Sequence, residues 1–114
     1  MTPVIFWGSS ERQFESLPID VQNAFAWAID QILRKPSALP RSESGLIVET
    51  EPLGGSLQLK RISVRRDSED PGFRGIYIVD SKRVVFLRFV FRDQATYKGL
   101  RALAQKARSE LGLE

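Results

Sequence analysis

Six residues stand out as candidates for chemistry on a phosphodiester: Glu51, Lys60, Arg61, Arg74, Arg92 and Tyr97. Arginine's rigid fork of donors matches a pair of phosphate oxygens and stays charged at any working pH. There is no histidine and no cysteine. Their absence removes the customary general base, thiolate nucleophiles, disulfides and the usual zinc sites, so no cofactor and no metal are expected. RNA brings its own nucleophile, the 2′-hydroxyl. A protein that cuts it needs a base, charge stabilisation and in-line geometry. Glu51, next to Pro52 at the end of a long irregular stretch, is one candidate base. Lys60 is a second, because a lysine serves as a base only when neutral and neighbouring cations favour that form. Tyr97 and Phe73 offer aromatic faces on which unpaired bases stack.

Each of these residues also has a plainer reading. Arg88 is flanked by Leu87 and Phe89, so strand alternation alone would turn it to solvent. Lys82 and Arg83 fall in a hairpin turn. Lys98, Arg101, Lys106 and Arg108 match the wet side of an amphipathic helix. Arg74, just after a Gly-Phe pair, has Asp70 and Glu69 within reach as ion-pair partners.

The elements that must position these residues follow from periodicity. Val4 to Trp7 is β-prone, and Ser9 or Ser10 suits the N-cap of a short helix. Pro18 opens the clearest helix, which ends before Pro36. Its residues Val21, Ala24, Phe25, Ala28, Ile29, Ile32 and Leu33 keep helical spacing, with Trp27 beside them. The stretch 36–56 is long for a structureless loop in so small a domain, so "LIVET" is expected to form a strand inside it. In "SLQLKRISVRR" the apolar phase changes partway. Either a bulge near Lys60–Arg61 or burial on both faces at different ends would explain the change. "DSEDPG" is a turn, Phe73 to Val79 and Val84 to Phe91 are strands, and "DQATYKGLRALAQKARSELG" is a helix ending at Gly112. The helix carries Leu100, Leu103, Ala104, Ala107 and Leu111 on one face. The expected architecture is a single α+β domain over residues 1–114. It has a small, mostly antiparallel twisted sheet, N-terminal helices packed on one side and a C-terminal helix. Antiparallel neighbours stand about 5 Å apart, so three adjacent strands could gather the basic side chains into a patch about 10–15 Å wide.

Charge points the same way. Residues 1–56 carry four Lys/Arg against seven Asp/Glu, whereas residues 57–114 carry thirteen against seven. A basic half on a small domain suggests an acidic partner, nucleic acid or protein. No stretch reads as a signal-peptide core, and the longest apolar run, Val84 to Phe91, is interrupted by Arg88. No membrane association and a cytoplasmic location are therefore expected.

The helix that opens at Leu17–Pro18, followed in order by "EPLGG", "LKRISV", "GFRGIYIV" and a strand ending in "FRD" with a tyrosine soon after, resembles the RelE/ParE superfamily of bacterial toxin–antitoxin toxins. The resemblance runs from Phe14 to Ala107. It implies a RelE-like fold and a ribosome-dependent endoribonuclease that cuts mRNA and inhibits translation. It also implies a cognate antitoxin, the ribosome and mRNA as partners, with no small-molecule cofactor. By the same resemblance Glu51 matches the acidic base position, Lys60 and Arg61 the basic strand positions, and Arg74 the arginine of the common "GYR" motif. Arg92 matches the catalytic position that ends the last strand, and Tyr97 the C-terminal tyrosine. The histidine of several active members is missing at that last position, where other members carry arginine. ParE-type members share the fold but inhibit DNA gyrase. That alternative stays open, as does an inactive or repurposed binding domain.

Overall fold

A computed structural model of the protein describes residues 4–34, 42–43, 45–54, 59–79, 83–91 and 99–112. The elements run β1 (Val4–Phe6), α1 (Ser10–Glu15), α2 (Ile19–Arg34), β2 (Ser42–Glu43), β3 (Leu46–Gly54), β4 (Leu59–Arg65), β5 (Phe73–Val79), β6 (Val84–Phe91) and α3 (Leu100–Leu111). The strands form one six-stranded sheet in the order β1-β6-β5-β4-β3-β2. Every pairing is antiparallel except β1 with β6, which is parallel. The α+β architecture expected from periodicity is the one observed.

Both faces of the sheet are covered. The helical stripe Val21, Ala24, Phe25 and Ala28 of α2 packs on Val48, Ile62, Val64, Tyr77, Val84, Phe86 and Phe89. On the opposite face α3 sets Leu100, Ala104 and Ala107 against Leu59, Ile76, Ile78, Val85 and Leu87. Strand side chains alternate between faces, so the near-continuous apolar run of β6 serves two cores at once. Aromatic packing concentrates on the α2 face, where Phe89 meets Phe25 edge-on at 5.2 Å and stacks on Phe86 at 4.9 Å between centroids. Rings of this kind, fully buried, contribute about 1.5–3 kcal/mol each through area removed from water. The C-terminal helix stops at Leu111, ahead of a left-handed Gly112, as the sequence expects. Arg83 donates to the Leu111 carbonyl at 3.1 Å, tying the start of β6 to the end of α3.

The phase change in β4 has its explanation here. The pairing of β4 with β5 runs without interruption from Leu59–Ile78 to Val64–Phe73. Leu59 lies under α3, while Ile62 and Val64 lie under α2. Burial on both faces is therefore the correct alternative, and no bulge interrupts β4 against β5. The irregularity sits in the neighbouring strand, where the β3 register shifts between Pro52 and Gly54. A second shift falls between β5 and β6 at Ile76/Tyr77.

Helix α1 is stitched to β6 by side chains. Ser10, fully buried, donates from Oγ to the Phe86 carbonyl at 3.1 Å. Gln13 accepts the Phe89 N–H at 2.9 Å through Oε1. The Phe86 carbonyl also accepts the Trp7 N–H at 3.0 Å, so Ser10 adds a second bond there, while Gln13 satisfies the Phe89 N–H on the other side of the register shift. Among the described residues no helix is long and apolar enough to cross a membrane.

A candidate phosphate-binding face

Strand register sorts the sequence-predicted residues onto the two faces. Residues directly opposite in a ladder share a face. Arg61 pairs with Ile76, and Ile76 with Arg88; one step along, Ser63 pairs with Arg74 and Arg74 with Val90. Ile76 belongs to the cluster under α3, so Arg61, Arg74 and Arg88 all lie on that face. The apolar cluster under α3 takes in Leu59, Ile76, Ile78, Val85 and Leu87. Arg61 and Arg88 flank Ile76 at the edge of that cluster, and Arg74 lies one step further from the β5–β6 hairpin. Glu51 pairs with Arg61 across β3–β4, which places an acidic residue at the head of the same row.

Lys60 goes elsewhere. It is the cross-strand partner of Tyr77 and Pro52, on the α2 face, so the sheet separates it from Arg61. Arg92 and Tyr97 lie outside the described residues. The structure thus brings Glu51, Arg61 and Arg74 into two neighbouring rows and leaves Lys60 out of them.

Arg74 is buried, 6% exposed. Its Nη1 donates to the Pro71 carbonyl at 2.7 Å and to the Phe73 carbonyl at 3.3 Å. It closes the turn that precedes its own strand. The surrounding "PGFRG" is built for this closeness. Gly72 has φ +70°, and a Cβ there would stand 2.4 Å from the Val64 carbonyl oxygen. A Cβ on Gly75 would meet Phe89 at 2.9 Å and Phe25 at 3.1 Å. The motif therefore does structural work whatever else Arg74 contacts.

Arg65, absent from the residues expected from sequence, ion-pairs with Glu49 across β3–β4. Glu49 faces Ser63 in the Arg74 row, so this pair flanks the arginine face. A signal existed: Glu49 and Glu51 sit two residues apart, as do Ser63 and Arg65, the spacing that puts strand residues on one face.

Beneath Arg61 runs a short polar chain. Thr50 Oγ1 donates to the Arg61 carbonyl at 3.0 Å, and the Tyr77 hydroxyl lies 3.1 Å from the same Oγ1. Thr50 has one hydroxyl hydrogen, spent on the carbonyl, so Tyr77 is the donor of the second bond. Burial pushes the Tyr77 phenol above its ordinary range, with the Thr50 hydroxyl acting in the opposite direction. This chain fixes the backbone from which Arg61 projects.

The turn between β4 and β5 is held by two aspartates. Asp70 accepts the Arg66 and Gly72 N–H groups at 2.8 and 3.0 Å, and these bonds hold its carboxyl below the usual carboxylate range. Asp67 Oδ1 accepts from Glu69 and Asp70. Arg66 reaches Asp20 of α2 at 2.6 Å. The Asp70 carboxylate, read from the sequence as a partner within reach of Arg74, is thus engaged by the N–H groups of the turn.

A cleft lined by Gly8, Ser9, Glu11, Arg12 and Glu15 lies on α1 and holds none of the sequence-predicted residues. Among the described residues no cluster of three or more Asp or Glu could hold a metal ion.

No protein-family model matches the sequence, and no curated protein matches it either. Among solved structures, the fold is similar to that of a copper-bound mutant of a toxin from Helicobacter pylori. The TM-score is 0.51 at 16% identity, over 81% of this chain and 96% of that one. What the two chains share is the fold, an α+β sheet with flanking helices that in the H. pylori protein belongs to a toxin.

Proposed function

We propose that this protein is the toxin of a type II toxin–antitoxin pair and acts as a ribosome-dependent mRNA endoribonuclease, held inactive by a cognate antitoxin. The observation that carries the reading is the gathering of Arg61, Arg74 and Arg88 on one end of one sheet face, with Glu51 opposite Arg61. The fold shared with a bacterial toxin supports the toxin–antitoxin setting.

In this reading the scissile phosphate lies over the Arg61 row. Glu51 accepts the 2′-hydroxyl proton as the oxygen attacks phosphorus; the bond to the 5′-oxygen breaks, leaving a 2′,3′-cyclic phosphate, and the departing 5′-oxygen takes a proton from solvent water. Arg61 and Arg92 meet the negative charge that builds on the phosphate oxygens, the kind of preorganised stabilisation that gives the largest share of many rate enhancements. Arg74, buried against Pro71, holds the turn and the adjoining strand in place. Tyr97 stacks on or orients a base. Lys60, across the sheet from this row, is the weaker candidate for the base.

The test is induced expression in a bacterial host with mapping of mRNA 5′ ends. Cuts in codon register should accompany growth arrest. They should disappear in the Arg61→Ala and Arg92→Ala variants, with folding checked by circular dichroism. Cutting at wild-type level by both variants would sink the assignment. Arrest with intact messages and a DNA-damage response would instead favour the gyrase-inhibiting alternative.

A further inference from the structure

Strand alternation counted from Phe86 would send Leu87 toward α3 and Arg88 toward α2. The pairing says otherwise. Tyr77 faces Phe86 while Ile76 faces Arg88, so Leu87 is an extra residue of β6, the mark of a β-bulge. Without it Arg88 would stand opposite Gly75, where Phe25 and Phe89 already fill the space above the glycine. The bulge instead moves Arg88 to the other face, into one line with Ile76 and Arg61. Bulges of this kind commonly re-aim a side chain next to a functional site. Here Gln13 of α1 secures the arrangement by accepting the Phe89 N–H.

Arg61 and Arg88 are both half-buried, two strand spacings apart, or ~10 Å between Cα positions. Resting on the nuclease reading above, we infer that Arg88 is a substrate-binding residue: Arg61 and Arg88 hold two phosphates of one RNA strand, which crosses β4, β5 and β6 rather than following them. Ile76, fully buried between them, belongs to the core cluster under α3 and fixes the spacing of the two arginines.

Counterion release makes this measurable. Each phosphate neutralised on a single strand contributes about 0.7 to the slope of log affinity against log salt. The probe is a single-stranded RNA oligonucleotide methylated at every 2′-oxygen, which binds but supplies no nucleophile. Arg61→Ala and Arg88→Ala should each lower the slope by about 0.7, and the double variant by about 1.4. Arg88→Gln should behave as Arg88→Ala, whereas Arg88→Lys should keep the slope, a rescue that a purely structural arginine would not require. Arg101→Ala, on the exposed side of α3, should bind as wild type. Thermal unfolding of each variant separates lost contacts from lost fold. An unchanged slope in Arg88→Ala, or a double variant no lower than the singles, overturns the inference while leaving the nuclease reading standing. A wild-type protein that does not bind the oligonucleotide overturns the inference as well, whereas the nuclease reading is decided by the mRNA 5′-end mapping.

Discussion

Arg74 is a side chain suited to phosphate that the fold itself engages. Its side chain has the chemistry for phosphate, but its Nη1 is engaged with the Pro71 carbonyl and the residue is almost wholly buried. A hydrogen bond from a charged donor is worth about 1.5–3 kcal/mol. Arg74→Ala should therefore lower the unfolding free energy by about that amount in urea titration. An unchanged midpoint would show that the turn holds without it. Tyr77 makes a comparable case inside the sheet. Tyr77→Phe removes its bond to Thr50 and should cost about 1 kcal/mol. The sign of its pH dependence follows from burial. Its folded pKa lies above the ordinary value of 10.0, so its contribution is complete below that pH and is lost as the pH climbs through the higher folded value. Wild type should accordingly lose stability at alkaline pH more steeply than Tyr77→Phe. None of this could be seen in the sequence. Whether an arginine faces a phosphate or a carbonyl depends on what the chain folds beside it.

Among the elements, the turn from Arg66 to Gly72 shows what sequence signals can and cannot convey. "DSEDPG" marks the turn unmistakably, but not that Gly72 must pass within touching distance of β4. A side chain there meets the Val64 carbonyl oxygen and is forced into a left-handed backbone. Gly72→Ala should cost at least about 1–3 kcal/mol from the backbone alone, measured by chemical denaturation against the wild type. Asp70 of this turn and Asp20 of α2, both tied to Arg66, contribute acid sensitivity. Asp70 is held low first by the Arg66 N–H, and Asp20 first by the Arg66 side chain. Their contributions are full above the ordinary value of 3.8 and fall away as the pH drops through the lower folded values. Asp70→Asn should therefore flatten the acid limb of the stability profile. Helices and the two-faced strands were legible because spacing alone dictates them. The Leu87 bulge was not, because a bulge exists only relative to the partner strand, and the sequence of β6 reads as an ordinary apolar run.

For the whole molecule, the two cores share one sheet. Ile62 and Val64 of β4 belong to the α2 side and Leu59 to the α3 side; β5 and β6 divide in the same way. Neither helix can leave without exposing strands that support the other. Calorimetry should accordingly give one transition, with equal calorimetric and van't Hoff enthalpies; two separable transitions would refute a single domain. The basic half of the sequence contains the whole of β4, β5, β6 and α3, so the charge asymmetry read from composition becomes an asymmetry across the fold. Composition could locate that charge along the chain, but only strand register could show Arg61 and Arg88 in line and Lys60 turned away.

The parallel pairing of β1 with β6 sets the order in which the molecule can be finished. Val4–Phe6 pair with Val84–Phe86, so among the described strands the earliest in sequence has the latest as its partner. The α1 side chains that follow it bond to the same late strand. Contacts so distant along the chain form slowly, because closing a long loop costs entropy before anything repays it. A growing chain would therefore carry Val4–Phe6 undocked until Val84–Phe86 has been synthesised. The row from Glu51 to Arg88 is likewise incomplete until that last strand arrives. Assembly of the sheet and assembly of the arginine face are then one late event, and a chain cut short before β6 would have neither.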